Sequence, residues 1–173
     1  MKQWLGVLTL IALGIAFALL NTPESAPNAA GEARRLQISA SDLTRQQYDL
    51  NGNLVEQLNA ETFQQFTNSN AEMTRMMLVQ PDWTISANQA TTEDQINFNL
   101  QGSVKVSTSD GLTLTTEKLL YQSNTETGHA PNYAELTRAG SISTGRSLKF
   151  DLTNEFMEFE QHESSTFVTN RDQ

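Results

Sequence analysis

The chain has 173 residues, 38% of them hydrophobic and 18% charged, with 20 acidic against 11 basic side chains for a net charge of −9. That length supports one domain around a single core. The acidity, with no basic cluster beyond Arg34-Arg35, excludes the electrostatic footprint of a nucleic-acid binder, and the absence of cysteine excludes disulfides and thiolate metal sites.

The first element is an uncharged apolar run, Trp4 to Leu20, preceded by Lys2 and followed by no charge before Glu24. As a helix rising about 1.5 Å per residue it would reach roughly 25 Å, close to the thickness of a bilayer's hydrocarbon core. The charge asymmetry puts its start in the cytoplasm and everything after Asn21 outside. Residues 1–20 are therefore expected to form a transmembrane anchor. A cleaved secretory signal is the competing reading, although no small-x-small pair closely follows the apolar run. Residues 21–35, rich in Pro, Ala and Gly, read as a flexible tether, 36–168 as the folded domain and 169–173 as a disordered tail.

From Leu36 on, apolar residues alternate with amides and hydroxyls, the period of half-buried strands. Ile96, Phe98 and Leu100 alternate with Asn97 and Asn99, and Val104 and Val106, then Leu112 and Leu114, continue the pattern. Asn51-Gly52 and Asp110-Gly111 suit type I′ hairpin turns, and Gly128 and Gly140 are expected to mark further bends. Residues 60–78 space Phe63 and Phe66 helically, yet strands are the better reading because the neighbouring segments are strands. Leu54, Trp83, Leu112 and Ile142 open corresponding strands 29, 29 and 30 residues apart. Corners follow at Ala60, Ala87, Thr116 and Gly145, and three residues beyond each stand Phe63, Ala90, Leu119 and Leu148. Such self-similarity implies one supersecondary unit stacked on its copies. The expected fold is all-β, a twisted jelly roll or β-roll of stacked antiparallel strands behind one transmembrane helix, with unpaired strands at each end.

Catalytic equipment is missing. The sequence holds no G-x-S-x-G, H-E-x-x-H or Walker motif. His129 and His162 stand in polar surroundings and read as solvated, and Glu158 and Glu160 read as the wet side of a last hairpin before they read as an acid pair. No cofactor and no metal is expected, and the expectation is a non-enzyme.

The apolar start, the tether, YDLNGNLVEQLNAE, QPDWTISANQATTEDQINFNLQGSVKVST, LTTEKLLYQS and the closing GRSLKFDLTNEFMEFEQHESSTF, taken in this order, resemble the LptC family. That resemblance implies a lipopolysaccharide-export component anchored in the inner membrane of a Gram-negative bacterium, with its roll in the periplasm. Its partners would be the ATP-driven transporter, LptF and LptG with LptB, at the N-terminal edge and anchor, and the bridge protein LptA at the C-terminal edge. Lipopolysaccharide acyl chains would then run along an apolar lining. Phe98, Leu100, Val104, Val106, Phe150 and Phe159 could form that lining or be ordinary core. Leu78 is expected on the entry side, Phe156 and Phe167 near a handover to LptA, and Gly140 to matter for backbone shape. A structural adaptor that docks its neighbours without carrying lipid is the alternative.

Overall fold

The computed structural model describes residues 35–67 and 69–167. The expected anchor, most of the tether and the tail lie outside the described residues. Nine antiparallel strands follow one another: β1 (Leu36–Tyr48), β2 (Leu54–Phe66), β3 (Ala71–Val79), β4 (Trp83–Thr92), β5 (Asn97–Thr108), β6 (Thr113–Gln122), β7 (Thr127–Arg138), β8 (Ser141–Asp151) and β9 (Phe156–Thr166). They form one sheet in sequence order, so β1 and β9 are its edges. No helix occurs among the described residues. The helical spacing of Phe63 and Phe66 is overridden, as the strand reading of 60–78 expects.

Alternation fails at one place in each even strand, and there the sheet bends. Inward residues normally recur every second position. On the even strands they jump by three, from Ala60 to Phe63, Ala87 to Ala90, Thr116 to Leu119 and Gly145 to Leu148. These are the corners of the 29-residue repeat, each unit of which is an even strand with its successor. Neighbouring strands take up the extra residue through left-handed backbone at Asp42, Arg75, Gly102 and Ser103, and the β4–β5, β5–β6, β6–β7 and β7–β8 registers slip at this level. The slips align into a crease crossing β4 to β8. At the crease the buried Thr116 hydroxyl donates to the Tyr133 carbonyl (2.9 Å), which leaves no unpaired polar atom there from that side chain.

The crease folds the sheet onto itself. Trp83 pairs with Thr108 and Tyr121 with Phe98, so they stand at opposite ends of β5, about 33 Å apart along a straight strand. Their ring centroids are nevertheless 5.8 Å apart at 70°. Only a sheet whose halves face each other allows this contact, and the enclosed space holds the core. Leu100, Leu119, Ala130 and Leu148 are wholly inaccessible there.

The turns differ from the sequence expectation in type. At Asn51-Gly52 and Asp110-Gly111 the loops have three residues, and only Gly52 (φ +85) and Gly111 (φ +87) are left-handed. These are type I turns with a bulge, not type I′. A two-residue turn with positive φ at both positions occurs instead at Ala139-Gly140. Gly128 is no bend; it lies within β7.

Aspartates stabilise several connections. The carboxyls of Asp49, Asp94, Asp110 and Asp151 are held below the ordinary range, chiefly by hydrogen bonds from Asn53, Asn97, Thr108 and Asn154 respectively. A depressed folded-state value means a contribution present above the unfolded value, near 4, and lost as pH falls through the folded one. Melting temperature is therefore expected to fall as pH drops from about 4 towards 2. Thermal melts across that range check this, and a rising melting temperature on acidification would contradict it.

Candidate functional site

Four inward rows line the fold. Beyond the crease one row runs Phe63, Met73, Ala90, Leu100, Leu119, Leu148 and Phe159. The next runs through Thr92, Phe98, Tyr121, Gly128, Phe150 and Met157. On the other half, Leu58, Leu78, Ile85, Val106 and Leu114 form a matching row, with Val104 and Ala134 at the crease. Among the residues singled out from sequence, the structure gathers Leu78, Phe98, Leu100, Val104, Val106, Phe150 and Phe159 into this one apolar interior.

Two of the aromatic side chains fit because glycines lie beneath them. Phe150 pairs with Gly128, and a Cβ built there would stand 2.2 Å from its Cζ. Phe159 covers Gly145, where a Cβ would come within 2.7 Å of the ring and 2.5 Å of the Gln161 carbonyl oxygen. Gly128 and Gly145 thus provide room for side chains on the neighbouring strand, whereas Gly140 shapes a turn.

Phe156 and Phe167 lie elsewhere. Phe156 pairs with Asp151 and shares a face with Glu158, so it is half exposed on the outside, and Phe167 is exposed just after β9. Alternation carried the signal, since Phe156 and Glu158 are two residues apart on one strand. A cleft of about 800 Å³ opens at this end of the sheet, lined by outward Leu120, His129, Lys149 and Phe156 together with inward Phe98, Tyr121 and Phe150.

The outer charges are engaged with one another. Glu160 is ion-paired to Lys149 and accepts a hydrogen bond from Ser147 (2.6 Å). Lys149, then Ser147, hold the Glu160 carboxyl below its ordinary range. His129 Nε2 is 3.0 Å from the Ser147 hydroxyl and His162 Nε2 is 2.8 Å from that of Ser165. Among the described residues no group of His and carboxylate side chains could hold a metal ion.

Sequence reasoning passed over the mouth, opposite the crease. Trp83 and Tyr121 meet there, the Phe98 ring lies tilted at 38° with its centroid 6.5 Å from that of Tyr121, and Glu56, bridged to Arg45 (2.5 Å) and Gln80 (3.4 Å), stands nearby on β2. The signal was available in part: Tyr121 is two residues from Leu119, hence on the same face.

The geometry is that of a folded sheet with an apolar inside, a polar outside and two edge strands without a strand partner among the described residues. The family model described as lipopolysaccharide-assembly, LptC-related, matches residues 7–165. No curated protein matches the chain.

Proposed function

From the premise that the chain belongs to the LptC family, whose role is in lipopolysaccharide transport, we propose that it carries the lipid's acyl chains between the two halves of its folded sheet. In this reading residues 1–20 anchor it in the inner membrane with the sheet in the periplasm. Lipopolysaccharide arrives from LptF and LptG, with LptB, on the β1 side and leaves to LptA on the β9 side. The observation that carries the proposal is the continuous row Leu100, Leu119, Leu148 and Phe159, running across the strands towards β9. Each CH₂ kept from water along such a row is worth about 0.8 kcal/mol, which is what a relay for long acyl chains needs.

The free edges support the docking part of the proposal. Unpaired N–H and C=O groups on β1 and β9 are templates for a further strand, so a partner of similar fold could continue the sheet. Phe156 and Phe167, exposed at β9, stand where the handover to LptA is proposed. The chemistry is carriage, with energy supplied by the transporter.

The interior is filled, so carriage requires the halves to part at the mouth. Photo-crosslinking residues at Leu78, Phe98 and Phe150, with outward Lys105 and Glu158 as controls, test this in cells making lipopolysaccharide. Lipid adducts are expected at the three inner positions and not at the controls. Protein adducts alone, near β9, would make the molecule an adaptor with an ordinary core.

A further inference from the structure

Tyr121 is the one inward residue of the mouth that combines deep burial with an unused polar atom. Only 2% of it is exposed, and its hydroxyl has no hydrogen-bond partner among the described residues. Its ring is clamped between Trp83 from the opposite half and Phe98 from its own. An unpaired buried hydroxyl is costly, and a phenylalanine would fill the same space without that cost.

The surroundings define what could satisfy it. Burial, then the nearby carboxylates of Glu126 and Glu56, push the phenol far above its ordinary range, so the hydroxyl keeps its proton and donates. Those carboxylates oppose an anionic acceptor such as a phosphate. The side chains leading inwards from Tyr121 are hydrocarbon, beginning with Leu119 in the next row. A partner must therefore present a neutral acceptor oxygen attached to an alkyl chain.

Resting on the proposed carriage of lipid, we propose that Tyr121 is a positioning residue: its hydroxyl donates a hydrogen bond to the carbonyl oxygen of an acyl ester or amide, fixing how far the chain enters. The chain then lies along the Leu119 and Leu148 row, and the head group stays outside the mouth. Alkyl chains without the carbonyl enter without this registration.

The test uses the full-length protein with a photo-crosslinking residue at Phe159, with and without Tyr121→Phe. The variant is expected to melt no lower than its parent, because it removes an unsatisfied group, while its lipopolysaccharide adduct falls about fivefold, the worth of one hydrogen bond. A fatty-acyl ester is expected to compete for the parent's adduct about fivefold better than the alkyl ether of equal length, and equally well in the variant. A lowered melting temperature would show that the hydroxyl is already used by the fold and would overturn the assignment. An undiminished adduct with equal competition by ester and ether would also overturn it while leaving carriage intact. No adduct in the parent would instead remove carriage and, with it, the inference.

Discussion

Gly145→Val is expected to strip β9 from the sheet while leaving β2 to β7 paired. The new Cβ would stand 2.5 Å from the Gln161 carbonyl oxygen and 2.7 Å from the Phe159 ring, so β8 and β9 must separate to admit it. Backbone cannot yield as a flexible side chain does, and the cost is about 2–3 kcal/mol, concentrated on an edge strand with one neighbour. Hydrogen exchange across Phe156–Thr166 should accelerate more than about tenfold, with amides of β4 and β5 little changed. Gly140→Ala is the contrast. It strains a left-handed turn residue by about 1 kcal/mol. Unchanged protection of β9 in Gly145→Val would refute the close-approach argument. If LptA docks on β9, as proposed, the same variant also loses LptA while keeping its fold.

Leu100→Ala and Asn99→Ala, one residue apart, should differ by a factor of several in cost. Leu100 is wholly inaccessible in the middle of the interior row, and truncating it should cost about 3 kcal/mol through lost burial and the cavity left behind. Asn99 faces away from the interior row, and its Oδ1 is buried without a partner among the described residues, so truncating it should cost no more than about 0.5 kcal/mol. Urea unfolding measures both, with equal slopes expected if the unfolded chain exposes the same surface. A mild effect at Leu100 would mean that the inside is an open, hydrated trough in the resting protein and not a packed core.

Much of the site was legible because it obeys period-two geometry. Phe98, Leu100, Val104 and Val106 were assigned inward from alternation alone, and the bend positions were visible in the repeat as a step of three. The errors fell where one residue was interpreted without its neighbour across the sheet. Gly128 looked like a bend because glycine often is one, but its reason for being glycine is Phe150, 22 positions away on the adjoining strand. Gly145 is a corner, as the repeat expects, but its close approach to Phe159 and Gln161 is invisible in the repeat. Asn51-Gly52 and Asp110-Gly111 marked their hairpins correctly, yet a dipeptide does not count the residues in its loop. The three-residue loops place only the glycine in the left-handed region.

The sequence by itself determined that the described domain is all-β, where its strands bend, which side of most strands is apolar and that the surface is acidic. These follow from local backbone geometry, which an alternating pattern records directly. Only the tertiary structure decided that Trp83 closes over Tyr121 and that a buried hydroxyl at the mouth is left unpaired among the described residues. Those features depend on the direction of the crease and on twist accumulated over nine strands, and no short window of residues contains either.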